Sequence, residues 1–257
     1  MTSIAAIAAL TAAQAIAIPT APAPELGGAW ALELTLVSAA KIPVLGNVNS
    51  TTVSIGHLRT LSSERGVVQR YEVCEVSLED RGKLVTSSIP DAFVQALPVR
   101  TVTPTAVATD DGWSYRMDLG STHVGYDPAI SHGKPPSSAG DPAVIDSDGD
   151  GAPGATVVVS IPLFSDVDIH ITQGTALSLH GTWATDGFVQ GRADVAYLEQ
   201  NVIGASNKLF ARSPTIRPVN ELSGFTLVRV PDDASCSELQ GLVQAAKSPT
   251  PSVVAVR

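Results

Sequence analysis

From residue 29 onward the chain alternates apolar and polar side chains over stretch after stretch, the pattern of strands with one buried face. Trp30, Leu32, Leu34 and Leu36 share one face of the first stretch. Val53, Ile55 and His57 share one face of the second, against Thr52, Ser54 and Gly56 on the other. His57 thus falls on the apolar face, where a hydrogen-bonded core histidine is expected. A third strand is predicted over 67–78 with Tyr71, Val73 and Val76, then a turn at Asp80-Arg81-Gly82 and a short strand over 83–89. Residues 90–97 read as a helical turn across an end of the sheet. Residues 99–109 and 113–119 form a predicted hairpin about Asp110-Asp111-Gly112, because Asp-Gly favours the tight hairpin turn. Strands resume at 155–162, 167–179 and 188–199, and a last one covers 225–230 after an irregular segment at 205–220.

The period fails in one region and changes in another. Residues 120–154 are rich in Gly, Pro, Ser and Asp and hold no period, so they form a long loop insertion. A loop of that length in a compact domain is usually functional or disordered. At 235–248 the spacing becomes helical: Ser235 with Glu238 forms a capping box, and Leu239, Leu242, Val243 and Ala246 line one face before Ser248-Pro249 ends it. Strands never alternate with helices, which argues against a parallel sheet. The pattern therefore predicts an all-β, antiparallel sandwich or barrel of about 8–10 strands with a C-terminal helix. Residues 25–257 form its single domain.

Composition narrows the setting. Of 257 residues, 44% are hydrophobic and 16% charged, which suffices for a core and argues against disorder. A net charge of -9 disfavours nucleic acid and anionic membranes as partners, since both are bound through basic patches. Residues 1–24 carry no charged side chain. The Ala/Ile-rich run over 4–18 is too short to span a bilayer and fits a secretory signal peptide, with Ala13-Gln14-Ala15 as a cleavage site and 20–24 as a linker. A buried Ala-rich helix is the alternative. The chain is thus expected to be secreted or periplasmic. Its two cysteines, Cys74 and Cys236, stand too far apart for a C-x-x-C redox or zinc motif. In an exported chain they are expected to form one disulfide, the alternative being two buried thiols.

The acidic stretch Asp146-Ser147-Asp148-Gly149-Asp150-Gly151 carries the most specific chemistry. Asp146, Asp148 and Asp150 have the spacing of the first three ligands of a calcium loop, and Gly151 falls at its sharp turn. The likeness to a helix-loop-helix sensor ends there. Val157 occupies the twelfth position, which needs a bidentate carboxylate, and no helices flank the loop. The stretch resembles isolated extracellular Asp-x-Asp-x-Asp-Gly loops that draw further ligands from elsewhere. Asp141, or Asp166 and Asp168, are the candidates. A structural calcium ion is expected, the alternative being a solvated acidic turn.

Asp166, Asp168 and His170 alternate on one strand face opposite Val167, Ile169 and Ile171. Such a face can bind metal or support acid–base chemistry, or simply be the wet side of a half-buried strand. No Gly-x-Ser-x-Gly, His-Glu-x-x-His, phosphate-binding loop or dinucleotide fingerprint is present.

Gly28-Ala29-Trp30 resembles the Gly-x-Trp that opens the first strand of lipocalins, and Gly181-Thr182-Trp183 repeats it. The resemblance implies that Arg229, late in the chain, packs over Trp30 and closes that end. A C-terminal helix outside the sheet and a disulfide to the C-terminal part are lipocalin-like as well. It implies an up-and-down barrel around a site for a small apolar ligand. The expected function is a non-enzymatic binding protein. An envelope or cell-surface structural or interaction module is the second reading. A calcium-dependent hydrolase using Asp166, Asp168 and His170 is the third.

Overall fold

The structure, a computed structural model, describes residues 22–42, 46–61, 66–80, 86–160, 165–185 and 187–248. The predicted signal segment, up to residue 21, lies outside the described residues. The strands are β1 (Ala29–Ile42), β2 (Gly46–Leu61), β3 (Val68–Asp80), β4 (Thr86–Ser88), β5 (Arg100–Val102), β6 (Thr105–Thr109), β7 (Gly112–Val124), β8 (Ala155–Ser160), β9 (Val167–Thr185), β10 (Phe188–Ala205), β11 (Thr215–Pro218) and β12 (Gly224–Val230). Two helices join them, α1 (Asp91–Ala96) after β4 and α2 (Cys236–Lys247) at the end. The chain is all-β and antiparallel, as predicted. It has more strands than expected for two local reasons. The 99–109 run breaks at Pro104, which has no N–H to give to a ladder, and becomes β5 and β6. The segment taken as irregular contains β11, which pairs with β1 from Ser38↔Pro218 to Lys41↔Thr215.

The strands pair in the order β4, β8, β9, β10, β12, β1, β2, β3, β5, with β7 beside β9, β6 outside β7, and β11 along β1. Consecutive pairing, as an up-and-down barrel requires, is interrupted where β7 and β8 share β9. β9 is long enough to pair with β8 along one part and β7 along another, from Val167 to Ile171 and from Gln173 to Thr182. Nor does the ladder close among the described residues. β3 would need a full-length neighbour, and β4 has three residues, all paired to β8. At that seam Phe93 of α1 packs with Val124, Ala155 and Ile171. Arg100 reaches across it, donating from Nη1 to the Leu119 carbonyl at 2.6 Å and from Nη2 to Thr122 Oγ1.

Side-chain size along the inner face decides what the curled sheet encloses. On β1 the inward positions run Trp30, Leu32, Leu34, Leu36, Ser38, Ala40, from bulky to small. The bulky end joins Tyr115, Met117, Leu179, Val189, Phe225 and Leu227 in the main core. Trp30 meets Trp183 edge-on at 5.7 Å between ring centres, and Trp183 meets Tyr115 at 6.2 Å. The three aromatics give this end a fixed geometry as well as buried area. Neighbouring strands approach closely there. Gly181 and Gly191 stand opposite each other, and a Cβ on Gly181 would lie 2.5 Å from the Gln190 carbonyl oxygen and 2.8 Å from the Phe225 ring.

The outer face is covered on one side by α2. Leu239 and Val243 are fully buried against Ala29, Ala31, Ile55, Val228 and Val230. The apolar face of β2 lies beneath this helix. Its apolar residue Ile55 points outward beneath the helix, while Thr52 and Ser54 face the interior. The helix is held at both ends. Cys236 at its start is bonded to Cys74 on β3, with Cα atoms 5.4 Å apart. Near its end, Lys247 pairs with Glu33, and Gln244 Nε2 donates to the other Glu33 oxygen at 3.1 Å. The capping box of Ser235 and Glu238 is present as predicted.

Closing a 162-residue loop restricts the unfolded chain severely. Replacing Cys236 with serine is expected to cost about 2–5 kcal/mol in chemical denaturation, read as a lower midpoint with α2 lost first. His57, 4% exposed, gives a second outcome. Burial, followed by the Arg59 charge, pushes its pKa below the ordinary 6.5. The unfolded chain therefore binds that proton more readily than the folded one. This stability is complete above pH 6.5 and is lost as pH falls from there towards the folded pKa. The unfolding temperature is expected to drop over that window, and His57→Gln to flatten part of the drop.

Candidate functional site

The acidic loop closes on itself before it enters β8. Ser147 N donates to the Gly154 carbonyl at 2.8 Å, and Gly154 N donates to the Ile145 carbonyl at 3.0 Å. Gly154 has φ +94°, and a Cβ there would lie 2.6 Å from the Ile171 carbonyl oxygen, so the loop docks tightly on β9 only with glycine at this position. Inside this ring, Asp146, Asp148 and Asp150 each bring a carboxylate oxygen within 4.8 Å of the others.

Five of their six oxygens accept hydrogen bonds. Gly149 N and Gly151 N donate to Asp146 at 2.7 and 2.9 Å. Ala152 N donates to Asp150 Oδ1 at 2.7 Å, and Thr156 N donates to Asp148 Oδ2 at 2.7 Å. The Thr156 hydroxyl donates to Asp150 Oδ2 at 2.6 Å. That hydroxyl proton is then committed, so the 3.0 Å contact with His170 Nδ1 is a donation from the imidazole to Thr156 Oγ1. The Thr156 hydroxyl, then the Ala152 N–H, hold the Asp150 carboxyl below its usual range. The sixth oxygen, Asp148 Oδ1, is buried without a partner. Three carboxylates this close repel one another, and a buried bare oxygen among them is costly unless a cation meets it. The donor set fits a hard divalent ion.

The other predicted ligands lie elsewhere. Asp141 caps its own turn, its Oδ1 accepting from Ala143 N at 2.9 Å, and stands outside the cluster. Asp166 and Asp168 are exposed and also stand outside it. Of the Asp-x-Asp-x-His face, only His170 is brought to the loop, through Thr156. The predicted loop also begins later, because 120–124 belong to β7. Thr156 went unpredicted: a lone threonine at the start of a strand carries no spacing signal.

Behind the loop, on the opposite face of β8, lies a cavity in two lobes. The outer lobe, about 230 Å³, is walled by Val157, Val159, Ile169, Ile171, Val202 and Ile216, with Phe210 and Arg212 also lining it. The inner lobe, about 160 Å³, lies between Leu36, Tyr71, Phe93, Arg100 and Leu177. Thr52 and Ile89 line both lobes, so they adjoin.

No family model, curated protein or solved structure matches this chain. The geometry of the resemblance can still be measured. Arg229 Cζ sits 4.6 Å from the centre of the Trp30 ring, and its guanidinium donates to the carbonyls of Gly27 and Glu25 at 3.0 and 2.8 Å. Trp30 Nε1 donates to the carbonyls of Leu26 and Gly27 at 3.2 and 3.1 Å. Residues 25–27 are thereby drawn across the filled end of the sheet. No helix among the described residues is long and apolar enough to cross a membrane.

A cation held at Asp148 stabilises the folded state alone, by about 2.7 kcal/mol at roughly 100-fold over its Kd. Calcium titration is expected to raise the unfolding temperature of the wild type. Asp148→Asn is expected to abolish most of that rise, and Asp141→Asn to leave it intact.

Proposed function

We propose that this chain is an exported, non-enzymatic β-barrel protein of lipocalin type that carries a small apolar ligand in its interior, with calcium ordering the acidic loop. The two-lobed cavity carries this reading. Ligand sites are typically concave and mainly apolar, with a few placed polar groups, and the adjoining lobes have that make-up. The taper from Trp30 to Ala40 supports a vessel solid at one end and hollow at the other. The Arg229–Trp30 contact, the outer helix and its disulfide support the barrel type. The disulfide also suits an oxidising, extracytoplasmic compartment.

Calcium's part is structural in this reading. Thr156 faces the loop and Val157, the next residue, faces the outer lobe. A cation that fixes the loop therefore also fixes a strand of the cavity wall. Calcium suits the site because it tolerates irregular sets of oxygen ligands.

The test is binding of an anilinonaphthalene dye, followed by its fluorescence. The dye is expected to bind the wild type with one saturable site. Ala40→Trp, which fills the outer lobe, is expected to abolish binding while circular dichroism and unfolding temperature stay near wild type. Unchanged dye binding in that variant would contradict the cavity as the site.

A further inference from the structure

A second set of donor groups converges on the outer face of β9, away from both the cavity and the acidic cluster. His123 on β7, Gly174 on β9 and Glu199 on β10 stand in one row across the three strands. Gln173 and Thr175 line the inner lobe, so Gly174 between them faces outward. With no side chain there, the middle of the row is bare. Two phenols meet above it. A Cβ on Gly174 would lie 2.9 Å from the Tyr126 hydroxyl and 2.8 Å from the Tyr197 ring, with the Tyr197 hydroxyl at 3.4 Å. Tyr126 is buried, Tyr197 half-buried and Glu199 exposed, so the group opens to solvent on the β10 side. The Tyr197 hydroxyl donates to Glu199 Oε2 at 2.8 Å. The Tyr126 hydroxyl donates to the Gly133 carbonyl at 3.1 Å, so the 2.7 Å contact with His123 Nδ1 is a donation from the imidazole. Burial, then the Glu199 carboxylate, raises the pKa of both phenols, which keeps them protonated at neutral pH.

Four side chains of metal-ligating type thus meet over a floor that a Cβ would fill. Their two close pairs, at 2.7 and 2.8 Å, have nearly the spacing of neighbouring ligands on a six-coordinate ion. That spacing is about 2.9 Å for octahedral bonds of about 2.0–2.1 Å. The donor set also chooses the ion. Two phenolates and a carboxylate carry three negative charges and a neutral imidazole none, which balances a trivalent cation. Three oxygens and one nitrogen, with no thiolate, suit a hard ion. Phenols surrender their protons only to a strongly polarising cation, which separates this set from the calcium chemistry of the acidic loop. We propose that His123, Tyr126, Tyr197 and Glu199 form a ferric iron site on the outer face of the sheet. Binding releases the two phenol protons to water. The imidazole moves its proton to Nε2 and ligates through Nδ1, and water completes the six positions. The iron stays ferric throughout, and the site does not rest on the cavity reading.

The experiment adds ferric nitrilotriacetate to the whole chain and follows its visible absorbance. Charge transfer from phenolate to iron gives a visible band that carboxylate ligands do not produce. The wild type is expected to take up one ferric ion per chain and to develop that band. Tyr197→Phe is expected to weaken it, and Tyr126→Phe with Tyr197→Phe to abolish it. Glu199→Gln is expected to keep the colour and to lower ferric affinity by at least about tenfold. Asp148→Asn is expected to leave the band intact, since iron caught by the acidic loop is held by carboxylates alone. Tyr197→Phe removes one hydroxyl from a half-buried strand position, so a folding defect does not mask its result. Absence of the band in the wild type, which needs no variant, would overturn the proposal. So would a band that survives the double substitution or disappears in Asp148→Asn, since either outcome places the iron on other groups.

Discussion

The edge-on contact between Trp30 and Trp183 decides which end of the curled sheet is solid. Both rings pack with Tyr115 and Phe225 in the main core at that end. Arg229 then lies over Trp30 and binds the backbone of 25–27, so the chain itself seals the end from outside. Away from these rings the inward side chains shrink to Ser38, Ala40, Ser50 and Thr52, too small to meet across the interior. The hollow follows from that taper. Protein interiors otherwise pack to the density of organic crystals, so a cavity persists only where side chains too short to fill it are held on a frame that cannot collapse. Pairing along the sheet, α2 with its disulfide, and the seam bridged by Arg100 supply that frame.

Much of this was legible because local rules coincided. In β1, strand period and apolar residues agreed from Trp30 to Leu36. The capping box at Ser235 and the helical spacing of Leu239 and Val243 marked α2 without ambiguity. The pairing of Cys74 with Cys236 followed from the expectation of export and the absence of other cysteines. The Gly-x-Trp resemblance implied an Arg229–Trp30 contact, and the guanidinium lies over that ring.

The rest depended on long-range contacts that period cannot register. On β2 the period marked an apolar face but not what covers it: Ile55 meets α2, while Thr52 and Ser54 face the interior. The sheet order broke the expected meander because β9 has 19 residues, enough for two partners on one edge. Among the described residues the ladder stays open at β4, whose three residues look like any other short β-prone run. At the acidic loop the three aspartates were visible from spacing alone. Asp141 was not separable from them, since a carboxylate capping its own turn and one facing a cation look the same in sequence. The hydrogen-bond chain from His170 through Thr156 to Asp150 became visible only when β8 and β9 were paired.

β8 links the two candidate sites. Its alternation sends Thr156 to the carboxylates and Val157 and Val159 to the cavity, so loop order and wall position are set by one strand. The central claim is that the interior of this sheet, rather than its helix-covered outer face, is the binding surface. Methyl-resolved NMR during titration with a saturated apolar chain tests this most directly. The account predicts shifts at the Val157, Val159, Ile169, Ile171 and Val202 methyls, with Val228, Val230 and Val243 unmoved. Shifts confined to those last three, or none in the first set at saturating ligand, would contradict it.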